Sequence, residues 1–184
     1  MRYAAIVFIS LALGVLACTP ARAQNYKFTS TLTAPDVKIA SITVTASDKV
    51  NQEKERWSSV DVDYLKRDLK KRVARILEHR GLIDHNNGVR LDLTILDVTP
   101  NRPTAQALTN RLALDFRSFG LGGAEIGARL VSRNGKELGE MHYRWKEYRL
   151  YQTSASKTVW FDAHRAFDKF SRHLVKNLQS QTVG

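Results

Sequence analysis

Cysteine and proline are scarce in this chain, with one Cys and four Pro among 184 residues. A lone Cys18 forms no internal disulfide and builds no thiolate metal site, so stability must come from a packed core. Long apolar runs are also missing. The only candidate, residues 4–17, is shorter than the roughly 20 residues that a membrane-spanning helix needs. Acidic residues are outnumbered, 18 against 29 Lys and Arg, for a formal charge of +11.

Catalytic motifs are equally thin. In Gly120-Leu121-Gly122-Gly123 the third glycine falls too early for GxGxxG, no lysine follows at the spacing of a phosphate-binding loop, and a strand pattern follows where a helix is required. Ser118 lies in Arg117-Ser118-Phe119-Gly120, without the first glycine of a nucleophile elbow. His79, His85, His142, His164 and His173 include no pair spaced for a zinc-binding helix face. A glycosidase needs two carboxylates across a cleft. Asp97, Asp115, Glu125 and Glu140 are available, but acidic residues at alternating strand positions usually face water. Trp57 and the segment from Trp145 to Tyr151 are the aromatic candidates for sugar or peptide contact, against a default of core packing. No cofactor or metal is expected, and no enzyme.

What is present begins at the N-terminus. Arg2, the apolar run and Ala21-Arg22-Ala23 before Gln24 form an export signal over residues 1–23, cleaved between Ala23 and Gln24. An alternative is Val15-Leu16-Ala17-Cys18, which resembles a lipobox and makes Cys18 a lipidation site. The expected location is therefore the periplasm, free in the first case and as an outer-membrane lipoprotein facing the periplasm in the second, with membrane attachment only through Cys18. Cleavage removes Arg2 and Arg22 and leaves +9 on about 160 residues, the size of one domain. In an exported protein that excess points away from nucleic acid and towards an anionic envelope component or an envelope protein.

Residues 24–34 read as a flexible tether or an edge strand, ended by Pro35, and residues 35–184 as a single α+β domain. Residues 37–45 alternate as a strand, and residues 48–56 form a charged connection. Ser58 and Ser59 offer N-caps, and Val62, Leu65, Leu69, Val73, Ile76 and Leu77 recur at helical spacing until Gly81. The other face of this helix carries Lys66, Arg67, Lys70, Lys71, Arg72 and Arg75. Such a stripe lies on a membrane, serves as an electrostatic platform for a partner, or is simply a solvated face.

Residues 89–95 alternate as a second strand, closed by the corner Thr99-Pro100-Asn101-Arg102-Pro103-Thr104. Two prolines stiffen this corner, which reads as exposed, with Asn101 and Arg102 as partner contacts or as plain turn residues. Residues 105–114 are ambiguous between helix and loop. Two further strands flank the hairpin signal Asn134-Gly135, with a slip near Gly139 that reads as a bulge. Trp160, Ala163, Phe167, Phe170, Leu174 and Leu178 mark a last helix. The expectation is a mixed or antiparallel sheet of about four strands with two amphipathic helices on one face, in the order β-α-β-β-β-α.

With its export signal, this order and the run from Gly122-Gly123-Ala124-Glu125-Ile126 through Asn134-Gly135-Lys136-Glu137-Leu138-Gly139-Glu140, the chain resembles small periplasmic and outer-membrane lipoproteins of Gram-negative bacteria. Their domains are similar to the amino-terminal domain of TolB or to the penicillin-binding-protein activator lipoproteins, and the resemblance spans residues 35–180. It transfers no catalytic residue. It implies a non-catalytic binding or accessory role in the envelope, with direct binding of anionic glycan or lipid as the alternative and a cell-wall hydrolase as a third, weaker one.

Overall fold

The computed structural model describes residues 26–32, 37–53, 55–115, 117–149 and 158–180. Its chain order is β1 (Tyr26–Ser30), β2 (Ile39–Ala46), α1 (Asp48–Gln52), α2 (Ser59–His79), β3 (Val89–Thr99), α3 (Ala105–Asn110), β4 (Gly123–Val131), β5 (Glu137–Lys146) and α4 (Phe161–Ser180). The strands form one mixed sheet in the spatial order β1-β5-β4-β3-β2. The α+β class is as the periodicity implies, with five strands in place of about four. The extra strand is β1, which takes the edge position beside β5 and pairs from Tyr26 opposite Trp145 to Ser30 opposite Met141.

β2 and β3 are parallel, whereas the β3–β4 and β4–β5 pairs are antiparallel. A parallel pair needs a long crossover, and α2 supplies it. Local chemistry makes α2 a well-bounded helix. The Ser58 hydroxyl accepts from the Asp61 amide while the Asp61 carboxylate accepts from the Ser58 amide, which is a capping box. At the far end the Gly81 amide donates to the Glu78 carbonyl and the Leu82 amide to the Leu77 carbonyl. Those two bonds are a Schellman ending, and they place Gly81 at φ 64°, a left-handed conformation that glycine adopts without steric cost.

Two short helices lie where the sequence reads as connection or as ambiguous. Ser47 caps α1 through the Val50 amide, and Thr104 caps α3 through the Ala107 amide. Both caps act over one turn, so neither produces the long periodicity by which a helix is recognised. The slip near Gly139 is real, because Leu130 pairs with Gly139 and the next residue, Val131, pairs with Glu137. A second irregularity, between Ile95 and Asp97, lets β3 run on to Thr99.

One face of the sheet is apolar. Leu91, Leu93, Ile95, Ala124, Ile126, Ala128, Leu130, Met141, Tyr143 and Trp145 are buried there against Val62, Leu65, Leu69, Val73 and Leu77 of α2 and Phe167, Phe170, Leu174 and Leu178 of α4. Trp57 and Trp160 meet edge to face at the end of this core, and the Trp57 indole donates to the Val50 carbonyl at 2.9 Å. Each fully buried large side chain stabilises by about 1.5–3 kcal/mol relative to exposure.

Phe170 is wholly buried and contacts the Tyr143 ring, whereas Val60 on α2 is 72 % exposed. Phe170→Ala should cost about 3–5 kcal/mol and Val60→Ala less than about 0.5 kcal/mol, read as shifts in the urea unfolding midpoint at constant slope.

Candidate binding surface

α2 and α4 lie side by side and run in the same direction. Near their N-terminal halves the seam is polar: the Tyr64 hydroxyl is 3.2 Å from His164 Nε2, and Arg72 bridges Asp68 on its own helix and Asp168 on the other at 2.6 and 2.7 Å. Arg72 is therefore turned into the interhelical seam and is not part of the solvated stripe in which its spacing places it. A bridge between two carboxylates is what one guanidinium fork can serve.

The remaining stripe residues face outward. Arg67, Lys70, Lys71 and Arg75 are exposed, and Lys66 is half-buried and bound to Asp63 at 2.6 Å. α4 adds Lys169, Arg172 and Lys176 to the same layer. From α2 through its cap Arg80, together with α4, there are eleven Lys and Arg against six Asp and Glu. The five strands carry five against five. Of the regular elements, the two long helices thus carry the excess positive charge and the strands carry none. The sequence reading locates only the α2 share; the 169, 172, 176 spacing on α4 is the signal that finds the rest.

The proline corner is not an exposed presenter of Asn101. Asn101 is fully buried, and this corrects its assignment as a contact residue. Its side chain accepts from the Asp162 amide at the start of α4 and donates to the Thr158 carbonyl, while its backbone bonds Val159 and Gly120. Asp162 in turn accepts from the Gly122 amide at 3.2 Å, and Glu147, also buried, pairs with Arg165. Arg165 lies 5.0 Å from the centre of the Trp145 ring. Burial alone pushes the Glu147 carboxyl up, but the Tyr148 amide, Arg165 and the Arg149 amide outweigh it and hold the group below its ordinary range. Asn101 is thus a cap supplied to α4 by a distant loop. Arg102, beside it, is half-buried.

The glycines after Gly120 serve this junction. A Cβ on Gly123 would lie 2.3 Å from the Trp145 carbonyl oxygen, so β4 can approach β5 there only without a side chain. Trp57 and Trp145 belong to the core, which leaves Tyr148 as the exposed aromatic of those candidates; Tyr151 lies outside the described residues. Cys18, Ala23 and Gln24 also lie outside them.

The sheet face opposite the helices is polar. Glu125 bonds His142 at 2.7 Å and lies 3.8 Å from Arg144, and Asp92 pairs with Arg90 at 2.9 Å. A groove of about 450 Å3 crosses it between Thr29, Thr94, Leu96, Gly127 and His142. Of its charged residues Asp92 also reaches Arg129, at 3.7 Å. Among the described residues no group of three or more His, Cys, Asp and Glu is arranged to hold a metal ion.

No protein-family model matches this sequence, and neither does any curated protein. Among solved structures the chain is similar to a minor lipoprotein from Acinetobacter baumannii, at 13% identity and a TM-score of 0.36, over 78% of this chain and 93% of that one. The TolB and penicillin-binding-protein-activator resemblance accordingly gains no support from a family match and rests on the sequence pattern alone.

Two outcomes follow from these contacts. Asn101→Ala removes the buried bonds to the Asp162 amide and the Thr158 carbonyl and should cost about 1–3 kcal/mol, whereas Arg102→Ala should cost under about 1 kcal/mol, both read by urea unfolding. His164 and His173 are both held below their ordinary value of 6.5: for His164 burial, aided by Arg72, outweighs the opposing pull of Asp68 and Asp168, and for His173 burial acts together with Lys176, Lys169 and Arg172. The unfolded chain then takes up the protons first. Their contribution is complete above pH 6.5 and is lost as the pH falls through the lower folded values. The melting temperature should fall between about pH 7 and pH 5, and H164Q/H173Q should flatten that fall.

Proposed function

We propose that this chain is an exported, non-catalytic module of the cell envelope that binds an envelope partner through the outer surface of its helical layer. The observation that supports it is the segregation of charge, with a neutral sheet on one side and a net positive pair of helices on the other. Cations that serve only to solubilise a protein need not gather on one layer, whereas a binding surface gains on-rate and specificity from doing so. The N-terminal signal supports the periplasm as the place of action, and no helix among the described residues is long and apolar enough to cross a membrane. The platform is Arg67, Lys70 and Lys71, with half-buried Lys66 at its edge. Asn101 takes no part in it.

A photo-crosslinking amino acid at Lys70 should trap a discrete envelope partner in intact cells. R67E/K71E in the same chain should reduce that product by about tenfold or more, and raising the salt in isolated envelopes from about 50 to 300 mM should weaken the wild-type product in the same direction. Trapping that is absent, or indifferent to both charge reversal and salt, rejects the platform.

A further inference from the structure

The seam between α2 and α4 changes character along its length. In its first half each inward-turned cation has a carboxylate, as Arg72 has Asp68 and Asp168. Towards the C-terminal turns the seam opens into a groove of about 390 Å3 whose floor is Ile76 and Val175 and whose rim is Arg80, Arg172, Lys176 and Gln179. No acidic residue lines it. Among the described residues Arg80, Arg172 and Lys176 make no ion pair.

Cations near helix C-termini are favoured by the helix dipole, and that accounts for their presence. It does not account for half-buried Ile76 at the base of the groove between them, beside buried Val175. Their field is felt inside the molecule as well: Lys176, Lys169 and Arg172 act with burial to disfavour the charged form of His173, which stacks on Phe28 at 4.9 Å between ring centres. An anion seated on the rim would cancel part of that field. Phosphate alone satisfies the rim but leaves the floor wet, whereas an anionic phospholipid satisfies both, its headgroup on the three cations and the start of its acyl chains on half-buried Ile76.

We propose that this groove is a binding site for the headgroup of an anionic phospholipid at a membrane surface. The proposal rests on the reading of the helical layer as the binding face and names a second, separate point on it. The occupant is a lipid and not a free phosphate because of the floor, and not an acidic protein segment because the groove is confined to six residues at two helix ends.

The test uses the C18A chain, exported and purified after signal removal, so that no acyl group contributes. It is sedimented with vesicles of about 30 mol % phosphatidylglycerol in phosphatidylcholine, or of phosphatidylcholine alone, at about 0.1 M salt. Binding is expected only to the former, with R172Q/K176Q weakening it about thirtyfold and K70Q/K71Q less than about threefold. Short-chain phosphatidylglycerol should raise the His173 pKa followed by NMR, and inorganic phosphate should not. Unchanged melting curves show that each variant is folded.

Equal losses from the two variants overturn the groove in favour of diffuse charge attraction. A His173 shift with inorganic phosphate as large as that with lipid overturns the lipid in favour of a phosphate site. Failure to sediment at all, while Lys70 still traps a protein partner, overturns the groove and leaves the platform standing; loss of both removes the whole reading.

Discussion

A parallel pair of strands cannot be joined by a tight turn, and the β2–β3 pair sets the terms for the rest of this molecule. The chain must leave the sheet plane and return over one face, and α2 is the segment that does so. Its apolar stripe then has to meet the apolar face of the sheet, which commits Leu91, Leu93, Ile95, Ile126, Leu130 and Tyr143 to that side. α4 covers the remainder of the same face, because a single helix is too narrow to bury five strands. With both helices on one side, their outward surfaces form one continuous layer, and the opposite face of the sheet is left to Thr, Glu, Asp, Arg and His.

That one-sided burial explains the distribution of charge. On the bare sheet face carboxylates and cations alternate across strands and meet in pairs, as Asp92 does with Arg90 and Glu125 with His142. On the helical layer the cations have only water outside and few acids beside them. The two sides of the molecule therefore differ, the strands carrying as many acids as cations and the helices an excess of cations.

The junction at the end of the sheet shows how a polar cluster can hold distant loops together. Asn101, Asp162, Glu147, Arg165 and the Gly122 amide lie in a buried region where an unpaired polar group would cost more than a hydrogen bond gains. No buried side-chain nitrogen or oxygen among the described residues lacks a partner. The proline corner, the glycine pair and the start of α4 are thereby tied together, although each lies far from the others in sequence. A cluster of this composition in an open cleft would invite a catalytic reading; here its groups are spent on one another.

The sequence by itself determined the elements whose cause is local. The Ser58–Asp61 box, the apolar spacing from Val62 to Leu77, Gly81 at the helix end, the Asn134-Gly135 turn and the alternation of β3 each depend on residues within a few positions of one another. The cationic stripe on α2 was legible for the same reason. Only the tertiary structure decided what depends on partners remote in the chain: that residues 26–30 pair with β5, that Arg72 turns inward to reach Asp168, and that Asn101 is a buried cap and not a contact. It also decided that two cationic helix ends adjoin and leave an apolar-floored groove between them. Spacing reports which face of an element a residue occupies, but the neighbour across that face is chosen by the packing of the whole sheet.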